Sequence, residues 1–382
     1  MKIVVAPNAF KGSLSATVAA ASIAGGVHRV LVDAEIVQVP VADGGDGLVN
    51  VALEVFQGTK RDVTVTGPDF VPVTASYCHA PSRNVAAIEM AQASGLALLP
   101  SSRRDPTRTT TLGTGELIRA ALDTGASHIL VGIGGSATND GGIGAAAALG
   151  IKFLDHKGNP VPLTGGGLSS IAHIDCNARD SRLKNIRLDV ACDVTNPLTG
   201  PTGAARMYAP QKGASPEQTD QLEEGMENLA ACIQRDLGIE VRSLAGGGAA
   251  GGLGAGLYAF LGAELRPGVD LILDLVELDR KLANADLVIT GEGQIDIQTT
   301  FGKAPAGVAA RAKAQGVPCI ALAGSIGENL GDLHQQGLDA VFSICQGPLS
   351  LEQAMQRSET LLALAAEQAV RCFFAVHNKR KR

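Results

Sequence analysis

Residues 285–309 read ADLVITGEGQIDIQTTFGKAPAGVA, the pattern of a strand, a loop and a helix. The apolar run Leu287-Val288-Ile289 suits a fully buried parallel strand. It gives way to Thr290-Gly291-Glu292-Gly293, where two glycines allow backbone angles that a side chain would forbid. Polar residues follow closely: Gln294, Asp296, Gln298, Thr299, Thr300 and Lys303. Pro305 suits the first turn of a helix, and a second apolar run, Cys319-Ile320-Ala321-Leu322-Ala323, supplies the next strand. Strand, polar glycine loop, helix and strand form a βαβ unit, and ligands bind beyond the carboxyl ends of such strands. The loop is therefore expected to be an active-site wall. An ordinary surface turn has no use for so many small polar and acidic groups.

Working outward, the same style recurs at the start of the chain. Residues 2–6 (KIVVA) predict a buried strand, and a helix is expected from Ser13 or Ser15 to about Val30. A lysine, Lys11, and two serines at a strand-to-helix turn resemble an anion site. Residues 35–40 (EIVQVP) predict a second strand, followed by VADGGDG (41–47) and a helix at Leu48–Phe56. That helix disfavours a simple Asp-Gly hairpin, so the loop with Asp43 and Asp46 is expected to hold a ligand. From 61 to 100 the texture changes to alternating segments (62–66, 71–78, 84–90), as in antiparallel strands. A helix at 114–124 and a strand at 128–133 come next, then a long amphipathic helix capped by Ser215 over Pro216–Leu237. Residues 339–345 predict a last strand and 351–376 a closing helix. The expected organisation is one discontinuous α/β domain, 1–58 with 281–382, carrying an inserted mixed α/β domain, 59–280. The strand at 128–133 fits either.

A chain of 382 residues exceeds one ordinary core. Its 47 glycines cluster after apolar runs rather than in a repeat, and aromatics make up only 3%. A net charge of −6 argues against nucleic acid, which wants a basic face. The basic run 379–382 is expected to be a solvated tail. Seven scattered cysteines with no CxxC predict buried, reduced thiols. No signal-peptide pattern and no apolar run near the about 18 residues of a membrane span are present, predicting a soluble cytoplasmic protein.

Gly132-Ile133-Gly134-Gly135-Ser136-Ala137 fits the dinucleotide spacing G-x-G-x-x-A, with Asp155 downstream. Asn139-Asp140-Gly141-Gly142 interrupts it, however, where a helix should already be running. A longer phosphate or substrate loop is expected, with the helix starting only near Ile143. GGGAAG (246–251) also has the spacing but no convincing strand before it, so close helix packing or a mobile loop is its expected role. There is no Walker A motif, no HRD with DFG, no G-x-S-x-G and no HExxH, and the seven histidines are isolated. What remains are oxygen-rich loops: Lys11-Gly12-Ser13, 43–46, 134–140, Asp193 to Pro197, Gln211-Lys212-Gly213, and Glu292 to Lys303. Carboxylates with water suit Mg²⁺, glycine amides cradle phosphate, and lysines neutralise charge as phosphoryl moves. This inventory fits phosphoryl transfer better than redox chemistry.

APNAFKGSLSA (6–16), VPVADGGDG (39–47), GIGGSATNDGG (132–142), ACDVTNPLTGPTGAA (191–205), APQKGA (209–214), GAAGGLGAG (248–256) and the opening stretch resemble the bacterial glycerate kinase family, type 1, which includes glycerate 2-kinases. The match is collinear from residue 2 to past 325. The resemblance implies a Rossmann-like parallel-sheet domain with a second domain inserted and an active-site cleft between them. It also implies ATP-dependent phosphorylation of D-glycerate with Mg²⁺, giving 2-phosphoglycerate, with 3-phosphoglycerate as the alternative product. The sequence departs from the family pattern at Asn8-Ala9, where an Asp-Ser pair is expected, and at Asp46, where Glu is common. On this resemblance Asp193 is expected to be the base or a metal ligand, with Asn196 beside it. Asp43 and Asp296 would be metal or substrate carboxylates, and Lys11 would hold phosphate or the glycerate carboxylate. Gly134, Gly135 and Ser136 would take nucleotide phosphate, with Ser13, Asn139, Lys212, Glu292 and Lys303 among the binding groups. A homo-oligomer is compatible with the sequence. Two rivals stand beside this reading: an NAD-dependent oxidoreductase of a small hydroxy acid, and a non-catalytic small-molecule sensor.

Overall fold

The structure is a computed structural model that describes residues 1–43, 47–300, 302–328 and 330–380, the side chains of 376–380 excepted. Gly44, Gly45 and Asp46 of the predicted acidic loop, Phe301 of the opening stretch and the end of the basic tail lie outside the described residues. The chain begins with β1 (Lys2–Pro7) and β2 (Glu35–Gln38). It continues through β3 (Thr59–Thr66), β4 (Pro72–Ala80), β5 (Val85–Glu89), β6 (His128–Gly132), β7 (Lys152–Leu154), β8 (His173–Asp175), β9 (Arg187–Ala191) and β10 (Glu264–Arg266). It returns with β11 (Leu287–Ile295), β12 (Cys319–Ile326) and β13 (Ala340–Ser343).

Two compact units result, Met1–Asp43 with Val269–Arg382, and Gly44–Gly268. The first is a Rossmann-like layer: a wholly parallel sheet in the order β13-β12-β11-β1-β2. Ile3 to Ala6 and Leu287 to Ile289 are fully buried, which is why these strands are continuous apolar runs. The helices Ala16–His28 and Ser358–Arg380 pack together against the sheet. From β1 the chain moves to one edge, and from β11 it moves towards the other. The loops after these adjacent strands therefore diverge at a topological switch point, where open α/β sheets bind ligands.

The second unit holds a mixed six-stranded sheet, β10-β9-β6-β5-β4-β3. Its β3, β4 and β5 are antiparallel, as their alternation predicts, and β5, β6, β9 and β10 are parallel. The strand at 128–133 is thus a central strand of this unit. The helix Pro216–Leu237 carries the predicted Ser215 cap as a full capping box with Gln218. The units divide at 43/44 and 268/269, whereas the change of texture predicts 58/59 and 280/281. The helix Leu48–Phe56 accounts for the first shift: it packs on β4 and β5, and Glu89 accepts the Val49 N–H at 3.1 Å. The helix Gly268–Leu275 accounts for the second, since its Asp270 and Asp274 pair with Arg311 of the first unit. The apolar pattern of a helix does not say which sheet it covers.

Candidate active site

β11 runs further than the apolar run at its start. Glu292, Gln294 and Ile295 still pair with Ala323, Ser325 and Ile326 of β12. A strand end was expected at Gly291–Gly293; instead glycine lets the backbones close up, since a Cβ on Gly291 would meet the Leu322 carbonyl at 2.3 Å. Glu292 is thereby delivered from a strand, and the turn proper begins at Asp296.

A cavity of about 500 Å³ lies at the switch point, and Lys11, Ser13, Asp43, Glu292, Asp296 and Lys303 all line it. Glu292 is only 6% exposed, and its Oε1 accepts a hydrogen bond from the Thr299 hydroxyl at 2.9 Å. Burial pushes its carboxyl up to about 7, with Asp43 and Asp296 adding to the rise and Thr299 and Lys303 opposing it. Asp43 Oδ1 accepts from Asn8 Nδ2 at 3.0 Å and from the Ala304 N–H at 2.8 Å, at the start of the helix Ala304–Ala314. Asp43 therefore stabilises that helix start as well as facing the cavity. Asp296 accepts the Gln298 N–H at 2.8 Å and Gln294 Nε2 at 2.9 Å, fixing the turn. Lys11 is exposed and makes no hydrogen bond to a described residue. The Ser13 hydroxyl is engaged, bonding to Met355 O and Ser358 Oγ, so it ties the loop to the C-terminal helices.

In the second unit, Gly134, Gly135, Ser136, Asp193 and Lys212 line a cavity of about 440 Å³. After β6 the chain forms a long loop, and the next helix is Ile143–Ala148, as the Asn-Asp-Gly-Gly interruption predicts. Asp140 pins this loop from below, accepting the Thr111 N–H and hydroxyl at 2.8 Å each, Gly142 N–H at 3.1 Å and Gly144 N–H at 3.3 Å. Lys212 is 2% exposed and donates to Ser136 Oγ and Thr138 O, both at 2.7 Å. Burial brings its ammonium down to about 7, opposed by the charge of Asp140. Its first role is to brace the Ser136 loop. GGGAAG packs closely: Gly251, at φ +69°, lies where a Cβ would sit 2.0 Å from Thr138 O. Asp193 is exposed and its Oδ1 accepts the Gly268 N–H at 2.8 Å.

Two expected site residues line neither cavity. Asn196 spends its amide on Thr202 O at 2.9 Å and the Tyr208 hydroxyl at 2.7 Å. Asn139 is fully buried, with neither amide atom bonded to a described residue. Sequence reasoning missed Thr299 as the group that orients Glu292, and Met355 and Ser358 as cavity lining from the C-terminal helices. Helical periodicity marks those last two only as core.

The nicotinamide reading loses its footing here. The glycine run does not open a helix, and Asp155 caps an exposed turn, accepting the N–H groups of Lys157 and Asn159 at 2.8 Å. Among the described residues no three His, Cys, Asp or Glu side chains are grouped to hold a metal. Asp43 and Asp296 line one cavity and Asp193 the other. Mg²⁺ needs only one or two carboxylates besides water and phosphate oxygens, a demand the Asp43–Asp296 cavity fits.

A parallel α/β sheet with a carboxylate and lysine cavity at its switch point, and a second α/β unit with a braced glycine loop, are features of enzymes that act on small molecules. The sequence matches the Glycerate kinase family over residues 3–374. A glycerate kinase of Halalkalibacterium halodurans is 48% identical over 364 residues, 95% of this chain and 96% of that protein. The glycerate 2-kinase of Escherichia coli K12 is 47% identical over 356 residues, 93% of each. A crystal structure from Salmonella typhimurium LT2, provisionally designated glycerate kinase 2, superposes with a TM-score of 0.88 at 47% identity, covering 99% of both chains. The chain belongs to the glycerate kinase family and is a kinase, a phosphotransferase with an alcohol group as acceptor.

Proposed function

We propose that the protein transfers the γ-phosphoryl group of ATP to the C2 hydroxyl of D-glycerate, giving 2-phosphoglycerate and ADP, with Mg²⁺ and in the cytoplasm. The observation that carries this reading is the switch-point cavity, where Asp43, Glu292 and Asp296 stand with Lys11 and Lys303. Likeness to a protein named glycerate 2-kinase supports C2 over C3. In the reaction the C2 oxygen bonds to the γ-phosphorus, the bond to the β–γ bridging oxygen breaks, and the hydroxyl proton passes to a carboxylate.

Asp193 is assigned as that proton acceptor or as a metal ligand. Lys11 and Lys303 hold phosphate or the glycerate carboxylate, and Gly134, Gly135 and Ser136 take nucleotide phosphate through the loop that Lys212 braces. Asp43 and Asp296 would hold Mg²⁺, which supplies positive charge to the phosphates when bound.

A coupled assay for ADP, run with D-glycerate and Mg·ATP, tests the reading. ADP release that depends on D-glycerate supports it. Nicotinamide turnover, or binding of glycerate without turnover, contradicts it in favour of one of the two rivals.

A further inference from the structure

The second unit contains another cavity, about 700 Å³ in volume, that shares no lining residue with the Gly134–Lys212 cavity. One wall is the turn between β3 and β4, with Asp69 and Phe70; the other is the segment that carries Arg103, Arg104, Asp105 and Arg108. The turn and the segment are fixed to each other, since Pro68 O accepts the Thr110 N–H at 3.0 Å.

The charges in this cavity do not balance. One carboxylate is ion-paired, and one oxygen of the other is taken by neutral donors. Asp69 pairs with Arg103 at 2.7 Å. Asp105 Oδ1 accepts the Thr107 N–H at 3.0 Å, the Thr107 hydroxyl at 2.6 Å and Gln218 Nε2 at 3.3 Å. Arg104 keeps a buried Nε–H with no acceptor among the described residues. Arg108 is exposed and its guanidinium meets no described acceptor. Three arginines against two aspartates leave one positive charge in excess in this hollow, and neither Arg104 nor Arg108 has its guanidinium bonded to a described acceptor. A buried donor without a partner is costly to keep, and the planar fork of arginine matches phosphate oxygens.

Phe70 is a second, independent observation. Its backbone is held at φ +65°, a region costly for a residue with a side chain, and the residue lines the cavity while 49% exposed. The turn holds it there, with the Phe70 N–H donating to Gly67 O at 3.1 Å and the Gly67 N–H to Val71 O at 2.8 Å.

We propose that this cavity binds a small organic phosphate, with Arg104 and Arg108 donating to the phosphate oxygens and Phe70 covering the organic body. The site lies outside both cavities assigned to the reaction, and the inference does not depend on which hydroxyl the kinase phosphorylates.

Calorimetric titration of the full chain with inorganic phosphate and with phenyl phosphate tests it. The wild type binds both, phenyl phosphate more tightly. Arg108→Ala, which removes an exposed side chain and should keep the wild-type Tm, weakens both by at least about tenfold. Arg108→Lys recovers part of the loss. Phe70→Gly relieves the positive φ, so the fold holds, and the preference for phenyl phosphate over inorganic phosphate disappears. Failure of the wild type to bind either probe at millimolar concentration overturns the proposal, as does unchanged binding in Arg108→Ala. An Arg108→Ala enzyme whose KM for ATP or D-glycerate rises in step with the loss of phosphate binding also overturns it, by placing the arginines in the reaction's own site.

Discussion

Glu292 is where the electrostatics of the switch-point cavity converge. Burial and two neighbouring carboxylates bring its pKa from 4.5 to about 7. The folded state therefore holds this proton more tightly than the unfolded state. Stability owed to the group is present below about pH 4.5 and is lost as pH rises towards 7. Glu292→Gln keeps an acceptor for Thr299 and removes the charge. It should leave Tm unchanged at pH 4 and raise stability at pH 8, by about 3 kcal/mol at most; an equal Tm difference at both pH values would contradict the assignment. The same variant should lower kcat, because Asp43, Asp296 and Lys303 lose a charged neighbour among the phosphate-binding groups. Asp193→Asn should lower kcat by about 10²–10⁴ with little change in KM if the carboxylate is the base. Near-native kcat in that variant removes it from the role. Asp43, Glu292 and Asp296 stood out in the sequence as loop acids, but that Asp193 lines a different cavity, and what each side chain is already doing, was not legible. Ser13 is engaged with Ser358 and Asn196 with Tyr208, partners that only tertiary structure supplies.

At the scale of elements, the glycine loop after β6 is held by two buried ionisable side chains and a close backbone contact. Lys212 bonds to Ser136 and Thr138, Asp140 gathers four donors, and Gly251 passes beneath Thr138. Gly251→Ala combines a forbidden contact with a positive φ, so it should cost about 3 kcal/mol or more, read from the denaturant midpoint. A variant with a wild-type midpoint would show that the packing there gives way easily. Most elements were legible because their signals are local: the Ser215 cap, the alternation of β3 to β5, and the polar break before Ile143. The end of β11 was not. Gly291 and Gly293 mark a turn when read along the chain, yet in the sheet it is Gly291 of β11 and Gly324 of β12 that let the two strands approach.

For the molecule as a whole, the chain builds two of the five strands of a parallel sheet, makes a second α/β unit, and returns to finish the first. The discontinuity was visible as a change of texture, because buried parallel strands and half-buried antiparallel ones are written differently. Its exact edges were hidden in helices that carry no mark of the sheet they cover. No helix among the described residues is long and apolar enough to cross a membrane. Family membership makes the protein a kinase, and the acceptor oxygen is the central claim that remains to be measured. Proton-coupled phosphorus NMR of the product formed from D-glycerate and Mg·ATP reads it directly. The account predicts a new phosphomonoester signal split into a doublet by the single hydrogen on C2. A triplet, from the two hydrogens on C3, would contradict phosphorylation at C2, and no new phosphomonoester at all would contradict the proposed reaction.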